Sequence, residues 1–312
     1  MDGAILEKKM LKISVVTPSF NQAKYLKECL LSVKEQSYPD VEHLVMDGGS
    51  TDGSVEILRE YAAKPEWSHL HWVSEADRGQ SDALNKGFRK ATGDVIGWLN
   101  SDDFYFKNCF KDVAEAFQHQ SRPDVLCGDC ILINEMTKTY QVRHEIAFNA
   151  FVLQHNRVTY INSSGSFFFS RRIIVDGHLL NRDFHHAMDY EYYLRLFRAG
   201  YRFSHSKKLL GALRLHGSCK SAMHYDKTVK EYEQARLENL KELGKLPKGR
   251  GGELRLALLR SIATCWRWSE KAIRGYYFDQ FHRKEFPTLS TGTNVHGEGI
   301  RGPREILESQ GR

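Results

Sequence analysis

The stretch ISVVTPSFNQAKYLKECLLSVKEQSYPDVEHLVMDGGSTDGS, residues 13–54, decides the fold class of this chain. It opens with a short β-branched run, which has the length and composition of a buried strand. A second apolar run, VEHLVMD, ends in a glycine-rich turn. Between the two runs, apolar side chains recur at helical spacing, at Tyr25, Leu26, Cys29, Leu30 and Val33. Strand, helix and strand in this order predict the first unit of a parallel sheet.

The same alternation continues as far as residue 100. TDGSVEILREYAA predicts a helix with Thr51 or Asp52 as its N-cap, and HLHWVSE predicts a third strand. QSDALNKGFRKA then predicts a third helix, and DVIGWLN predicts a fourth strand. This order of elements predicts an α/β fold in which a mostly parallel sheet carries helices on its faces.

The rest of the chain is less regular at first and then helical. Residues 123–142 predict two more strands, and MDYEYYLRLFRAG predicts a helix. A long helix is expected over about 225–243, followed by the linker GKLPKGRGGE. ELRLALLRSIATCWRWSEKAIRGYY then predicts an amphipathic helix, and the polar, glycine-rich end of the chain is expected to be poorly ordered.

Composition places the chain among ordinary globular proteins. Its 312 residues, 41% of them hydrophobic, suit one large domain with additions or two small domains. The net charge of +6 is consistent with anionic substrates or an anionic membrane surface and specifies neither. Cys127 and Cys130 lack the second cysteine pair of a zinc ribbon, so we expect buried free thiols. No signal-peptide pattern or membrane-spanning run is present, which predicts a cytoplasmic protein.

Polar or acidic residues follow each of the four predicted strands. Ligands of such sheets bind outside the carboxyl ends of the strands, so these residues are expected to converge. They are Thr17 to Asn21, Asp47 to Asp52, the group Glu75, Asp77 and Arg78, and Asn100 to Asp103. The adjacent carboxylates of Asp102 and Asp103 repel each other and lose hydration there. They therefore either cap the next helix or hold a cation.

The turn DGGSTDGS lacks two common nucleotide-binding patterns. It is neither a Walker A loop nor G-x-G-x-x-G, so neither ATP hydrolysis nor nicotinamide chemistry is indicated. Asp52 is expected to serve as a helix cap. Asp47 stands at the strand terminus, where its carboxylate can accept hydrogen bonds from a base N–H or from ribose hydroxyls.

Three segments in a fixed order resemble glycosyltransferase family 2, the inverting group with a GT-A fold that uses nucleotide-diphosphate sugars. They are residues 13–54, DRGQSDALNKGFRKATGDVIGWLNSDD at 77–103 and HAMDYEYYLRLFRAG at 186–200. The resemblance covers about residues 12–216. It implies a GT-A-like catalytic domain over 1–216, with a nucleotide-binding half at about 12–105 and an acceptor half at about 106–216. A helical extension would then occupy 217–286 and a tail 287–312.

The resemblance implies a donor site built from matching positions. The base or ribose would contact Thr17, Pro18, Phe20, Asn21 and Asp47, although Gly48 replaces the second acid of the family pattern. The diphosphate and sugar would contact Arg78, Asp82 and Asn85. The segment Asn100-Ser101-Asp102 matches the metal motif, with Asn100 in place of its first acid and able to bond a ribose hydroxyl.

The metal and the catalytic base are also implied by the resemblance. Asp102 would bind Mg²⁺ or Mn²⁺, which bridges the two phosphates, and His216 would add a ligand or touch the diphosphate. A lone histidine is also commonly structural, so that alternative stays open. Asp189 matches the base, and Glu191 ranks second. Asp189 could instead be only an acid favoured at a helix N-terminus.

The C-terminal amphipathic helix could meet any of three surfaces. Leu254, Leu258, Ile262 and Trp266 lie at i, i+4 spacing, among Arg255, Arg260, Arg267, Lys271 and Arg274. A basic helix with tryptophan could lie on the inner membrane face, near lipid-linked acceptors. It could also pack on the core or against a second copy in a homodimer, and packing is favoured.

The sequence as a whole predicts a metal-dependent inverting glycosyltransferase in polysaccharide or glycolipid assembly. Its donor would be a UDP, GDP or dTDP sugar, its acceptor a saccharide or lipid-linked hydroxyl, and no nucleic-acid partner is expected. A catalytically silent sugar-nucleotide-binding protein is the alternative, supported by Asn100 and Gly48. A nucleotidyltransferase would need a Gly-rich, basic loop after the first strand, and TPSFNQAKYL does not resemble one.

Overall fold

The computed structural model describes residues 10–136, 138–156, 159–162, 164–217, 225–247, 249, 251–277 and 296–297. Its first half contains the strands β1 (Ile13–Ser19), β2 (Val41–Asp47), β3 (Leu70–Ser74) and β4 (Val95–Trp98). Between them lie α1 (Ala23–Lys34), α2 (Ser54–Ala62), a 3-10 turn (Pro65–Trp67) and α3 (Gln80–Lys90). β1 runs parallel to β2 and β4, and β2 runs parallel to β3. The predicted α/β alternation is therefore confirmed.

The sequence predicted the buried face of α1 correctly and the N-cap of α2 incorrectly. All five apolar residues predicted to face the core from α1 are buried. The N-cap of α2 predicted at Thr51 or Asp52 is wrong, because Gly53 takes that position with a φ of 100°. Asp52 instead accepts a 3.0 Å hydrogen bond from the Ser54 amide and another from the Ala23 amide. It ties the start of α2 to the start of α1.

The second half completes the sheet and covers it. Its strands are β5 (Phe104–Tyr105), β6 (Val125–Ile133), β7 (Lys138–Arg143), β8 (Phe167–Ser170), β9 (Phe203–Arg214) and β10 (His296–Gly297). Its helices are α4 (Cys109–Gln118), α5 (Ala150–His155), α6 (Arg172–Val175), α7 (Met188–Arg198), α8 (Tyr225–Glu242) and α9 (Gly252–Ile273). Along the sheet the described strands follow the order β10-β7-β6-β8-β4-β1-β2-β3.

The pairing of two strands in this half, β8 and β9, determines where the site lies. β8 sits between β4 and β6 and runs antiparallel to both. β9 runs parallel to β6 and pairs antiparallel with β5, where Phe104 lies opposite Ala212. The end of β9 is thereby brought beside the carboxylates that follow β4. The result is a mixed sheet of the GT-A type, as expected.

Helix α3 lies close to the sheet because Gly87 has no side chain. A Cβ at this position would lie only 2.3 Å from Cγ1 of Val16, which is on β1. The main core fills this side of the sheet and includes Leu84, Phe88 and Trp98, all buried. The N-terminal end of α3 lies beside the carboxyl end of β4, where Nε2 of Gln80 donates to Oδ1 of Asn100 at 2.9 Å.

The two C-terminal helices pack on the body formed by residues 10–217. Tyr232 and Ala235 of α8 are buried in the main core, and the ring of Tyr232 lies 5.0 Å from that of Tyr190. On α9, the Nε atom of Arg267 lies 3.0 Å from a carboxylate oxygen of Glu145, and Lys271 lies 3.2 Å from the other oxygen. The domain boundaries themselves stay predictions. Apart from β10, the expected tail lies outside the described residues.

Helix α9 packs on the protein through its basic side, and its apolar row does not face the core. Leu254 is 76% exposed and Leu258 is 58% exposed, and Ile262 and Trp266 are exposed as well. The basic side of the helix faces inward because the buried carboxylate of Glu145 requires cationic partners. The apolar row is consequently turned outward.

Two further expectations concern thiols and membrane spans. Cys127 and Cys130 are buried free thiols within β6, as predicted. Both are covered because this strand is buried along its whole length. In the part of the chain that the structure describes, every helix is too short or too polar to cross a bilayer.

Candidate active site

A cleft of about 790 Å³ opens where the carboxyl ends of the first four strands meet. Phe20, Gly48, Asp77 and Asn100 each follow a different strand, and all four line it. The predicted convergence of the strand ends is therefore observed. The opposite wall comes from the start of α7 and from α8, which contributes Thr228 and Tyr232.

Six of the residues assigned by resemblance line this cleft. They are Pro18, Phe20, Asn100, Ser101, Asp102 and Asp189. They come from the ends of β1 and β4 and from the start of α7, which are far apart in the sequence. The other assigned residues lie behind the cleft surface or beside it.

Asp102 and His216 meet at the floor of the cleft. The Nε2 atom of His216 lies 2.9 Å from Oδ2 of Asp102, and the imidazole is almost fully buried. The ring of Tyr25 lies 4.9 Å from the imidazole ring and holds it. The Asp102 side chain keeps about a fifth of its surface exposed. A carboxylate oxygen and an imidazole nitrogen are thus in direct contact, although the two residues are 114 positions apart in the sequence.

Asn100 occupies the first position of the metal motif in a fixed orientation. Its Oδ1 atom accepts hydrogen bonds from Nε1 of Trp98 at 2.8 Å and from Nε2 of Gln80 at 2.9 Å. Its backbone amide donates to the Ser164 hydroxyl at 2.8 Å. The amide oxygen of Asn100 therefore has two donors without a cation, and the negative charge at this strand end belongs to Asp102 and Asp103.

Asp103 is buried behind Asp102. Its burial, and then the charge of Asp102, raises the pKa of Asp103 well above its usual range. Its Oδ1 atom accepts a 2.8 Å hydrogen bond from the Arg214 amide. A raised pKa favours the neutral form of Asp103, which does not repel the carboxylate of Asp102. Helix capping does not explain the pair, because α4 begins at Cys109 with Asn108 as its N-cap.

Arg214 holds this carboxylate pair from below, and the sequence patterns did not single it out. Its Nε atom donates to the backbone carbonyl of Asp102 at 3.0 Å, and its Nη2 atom pairs with Glu28. The guanidinium also lies 5.0 Å from the ring of Tyr25. No sequence pattern marks an arginine two residues before His216 as a site residue, because its role depends on the pairing of β5 with β9.

Three of the assigned donor-site residues stabilise the loops of the nucleotide half. Thr17 is fully buried, with its hydroxyl 2.9 Å from Nε2 of His43. Asp47 is also buried and accepts hydrogen bonds from the amides of Gly49 and Ser50 and from two hydroxyls. Asn21 accepts from the Thr51 amide at 2.9 Å. These residues fix the two loops that border the cleft.

The three residues assigned to the diphosphate and sugar lie on or next to α3. Asn85 is buried and exchanges two 2.9 Å hydrogen bonds with the backbone of Leu180. Asp82 forms an ion pair with Arg182 at 3.2 Å and accepts from the Arg78 amide. The Arg78 side chain is exposed. Here Asp82 and Asn85 join α3 to the segment that precedes α7.

Asp189 stands in the first turn of α7, as predicted, and lines the cleft. The loop before it is held by Glu231 of α8, whose Oε2 atom accepts from the amides of His185, His186 and Ala187 at 2.6–3.0 Å. Glu191, the second candidate, is instead paired with Arg195 at 2.8 Å. Asp189 thus lines the cleft whereas Glu191 does not, and this position favours Asp189 over Glu191.

The comparisons with known proteins agree with this architecture. Residues 14–189, more than half of the chain, match the family described as Glycosyl transferase family 2. The chain is 27% identical to the chondroitin synthase of Escherichia coli over 248 residues, which are 76% of this chain and 34% of that protein. The chain spans about a third of the length of several curated relatives that it matches.

Two solved structures are similar in fold. One is TarS 1-349 of S. aureus in complex with UDP-GlcNAc, with 18% identity and a TM-score of 0.57 over 81% of this chain and 79% of that one. The other is the mannosyltransferase PcManGT of Pyrobaculum calidifontis in complex with GDP-Man and Mn²⁺. It has 17% identity and a TM-score of 0.53 over 89% of both chains. The sheet order, the cleft at its strand ends and the family match lead to one conclusion: this chain belongs to glycosyltransferase family 2.

Proposed function

We propose that the protein is a metal-dependent, inverting glycosyltransferase that moves a sugar from a nucleotide-diphosphate sugar to an acceptor hydroxyl. The observation that carries this proposal is that Asp102 and Asp189 line one cleft. One carboxylate stands on the floor, beside an imidazole, and the other stands on the wall, in the first turn of a helix. A single-displacement transfer requires this division between a phosphate-side group and a proton acceptor.

The residues on the floor fit a divalent cation with oxygen and nitrogen ligands. Asp102 and His216 supply one of each at a separation of 2.9 Å. In the described residues, no group of three or more histidine, cysteine or acidic side chains could hold a metal. The substrate phosphates would therefore complete the shell of Mn²⁺ or Mg²⁺. The cation would neutralise the charge that develops on the departing diphosphate.

Asp189 is the proposed general base. The acceptor hydroxyl would attack the anomeric carbon on the face opposite the diphosphate, and its proton would pass to this carboxylate. Asp189 stands in the first turn of α7, on the wall of the cleft. Glu231 would keep the preceding loop in place during the reaction.

The proposed donors are UDP, GDP and dTDP sugars, and the proposed acceptor is a saccharide or lipid-linked hydroxyl in polysaccharide or glycolipid assembly. Structurally similar proteins hold UDP-GlcNAc or GDP-Man, which supports a nucleotide-diphosphate sugar here. The E. coli relative is a chondroitin synthase, which supports a saccharide acceptor. The cleft wall from α7 and α8 is the proposed acceptor side.

Release of nucleoside diphosphate from UDP-GlcNAc and GDP-mannose, with and without Mn²⁺, tests this proposal. We expect Mn²⁺-dependent release in the wild type and its loss in Asp189→Asn, with nucleotide affinity nearly unchanged. Glu191→Gln is the matched control, since it lies on the same helix but is paired with Arg195. Asp102→Ala should weaken Mn²⁺-dependent nucleotide binding. Tight nucleotide binding without any turnover in the wild type would favour the catalytically silent alternative.

We further propose that α9 rests on an anionic lipid surface. Its basic side is committed to Glu145, so its exposed apolar row cannot turn inward. Trp268 is 61% exposed, and Arg255 and Arg274 are exposed on the same helix, in a chain of net charge +6. Tryptophan and cations together suit the interface of an anionic membrane.

Vesicles of phosphatidylglycerol and phosphatidylcholine test this surface. The protein should co-sediment with the anionic vesicles, and Leu258→Glu should abolish co-sedimentation without lowering the melting temperature, because Leu258 is exposed. Light scattering after gel filtration tests whether a second copy of the chain covers the apolar row instead. A dimer that Leu258→Glu dissociates, without any vesicle binding by the wild type, would assign the row to a homodimer instead.

A further inference from the structure

Helix α8 forms part of the cleft although it lies outside the matched family region, which ends at residue 189. Its residues Thr228 and Tyr232 both line the cleft. They are four positions apart, which places the two side chains on the same face of the helix. This wall is therefore built by residues that follow the family match, on the proposed acceptor side.

Tyr232 has a fixed place in this wall. The residue is only 9% exposed, and its ring lies 5.0 Å from the ring of Tyr190 on α7. Burial, followed by the charge of Asp189, raises the pKa of Tyr232 well above its usual range. The hydroxyl of Tyr232 therefore stays protonated at neutral pH and lies within electrostatic reach of the proposed general base.

The hydroxyl of Tyr232 has no hydrogen-bond partner among the residues that the structure describes. By contrast, the hydroxyl of Tyr190, against which it packs, donates to the Leu153 carbonyl at 2.8 Å. Buried tyrosine hydroxyls usually have such a partner. Since Tyr232 lines the cleft, a bound ligand can supply the partner that the protein does not. The phenol thus marks a hydrogen-bonding position in the cleft wall.

We propose that Tyr232 determines acceptor specificity by binding a hydroxyl group next to the one that attacks the donor. The inference rests on the proposed function and names its acceptor class, a sugar ring with hydroxyls on neighbouring carbons. A tyrosine hydroxyl can both donate and accept a hydrogen bond, as a sugar hydroxyl can. Asp189 and Tyr232 line the same cleft, so a sugar can engage both residues at once. An alcohol with a single hydroxyl can engage Asp189 alone.

Transfer to methyl glycosides tests this role, with UDP-GlcNAc or GDP-mannose as the donor and Mn²⁺ present. The probes are the methyl glycosides of glucose, galactose, mannose and N-acetylglucosamine, together with deoxy derivatives of the one that is accepted best. The wild type should use this parent probe at least about tenfold more efficiently than the derivative that lacks the neighbouring hydroxyl. In Tyr232→Phe, the KM for the parent probe should rise about tenfold. The efficiencies for the two probes should then come within about threefold of each other, because both changes remove the same hydrogen bond.

Tyr225→Phe is the matched control, because it makes the same change on the same helix at a residue that is 58% exposed. It should keep the wild-type KM and the wild-type discrimination between the two probes. An equal rise of KM in both variants would indicate a general effect on α8 and would overturn the specific role of Tyr232.

The remaining outcomes separate this inference from the proposed function. A wild-type KM in Tyr232→Phe, or discrimination against the deoxy probe that persists in this variant, would overturn the role of Tyr232 alone. Mn²⁺-dependent release of nucleoside diphosphate without transfer to any of the methyl glycosides would overturn the choice of a sugar acceptor. Failure of both donors to release nucleoside diphosphate in the presence of Mn²⁺ would overturn the proposed function together with this inference.

Discussion

Glu231 offers the sharpest test of how the site is positioned. A single oxygen of its carboxylate accepts hydrogen bonds from three consecutive backbone amides, those of His185, His186 and Ala187. These residues end two positions before Asp189, so Glu231 fixes the start of α7. Glu231→Ala would leave three N–H groups to be solvated by water. Glu231→Gln would keep an acceptor oxygen and lose the charge.

The expected magnitude follows from the number and kind of these bonds. A hydrogen bond to a charged acceptor contributes about 1.5–3 kcal/mol when buried, and less where water can replace it. Because Glu231 is only partly buried, we assign about 2 kcal/mol to the three bonds together. If that energy holds the loop in its productive conformation, its loss lowers kcat about 30-fold. Glu231→Gln keeps an acceptor oxygen, so it should lose only about a third of that free energy.

The assay compares donor turnover and nucleotide affinity in the same variants. Glu231→Ala should lower kcat while the Kd for the nucleotide stays within about twofold. Glu231 contacts the loop that precedes the proposed general base, Asp189, and not the donor side of the cleft. Glu238→Ala, an exposed acid on the same helix, serves as the control. An unchanged kcat in Glu231→Ala would refute the positioning role. Parallel losses of kcat and melting temperature in both variants would show only that α8 is needed for folding.

Three further predictions concern stability. Arg267→Met should lower the free energy of unfolding in urea by about 2–4 kcal/mol, because it removes a partner of the buried Glu145 carboxylate. Arg260→Met is the control and should lower it by less than about 1 kcal/mol, because its partner Glu233 is more exposed. Burial raises the pKa of Glu145, but Arg267 and Lys271 lower it more, so its folded pKa lies below the ordinary value of about 4.3. Its contribution is then present above about pH 5 and is lost as the pH falls through the folded pKa, and Arg267→Met should show a shallower loss in acid unfolding. Gly87→Ala should destabilise by about 1–3 kcal/mol in a urea titration, since its Cβ would overlap Val16, and an unaffected midpoint would contradict the close packing of α3.

The order of elements and the place of the site were predictable from local patterns. The apolar spacing of α1 and the β-branched run of β1 each depend on residues close together in the sequence. Parallel strands joined by helices must present their carboxyl ends to the same edge, so the convergence of Phe20, Gly48 and Asn100 followed from order alone. The family resemblance added the assignments of Asp102 and Asp189, which the fold brings into one cleft.

Contacts between distant segments were not predictable in the same way. The pairing of β5 with β9 sets His216 against Asp102, and no local pattern marks that partner. Glu231 is one of many acids on a polar helix until α8 packs on α7. Tyr232 is an ordinary aromatic residue of that helix until the fold brings it into the same cleft as Asp189. Each of these roles depends on a distance that the chain acquires only when it is folded.

The C-terminal helix shows the division most clearly. The sequence by itself determined that α9 is amphipathic, because its apolar and basic residues alternate with helical period. It could not determine which face meets the protein, and burial of the apolar row was the natural expectation. The tertiary structure decided the opposite, because the carboxylate of Glu145 is buried and draws Arg267 and Lys271 inward. A buried charge without partners is more unfavourable than an apolar row left in water, so the charge set the orientation.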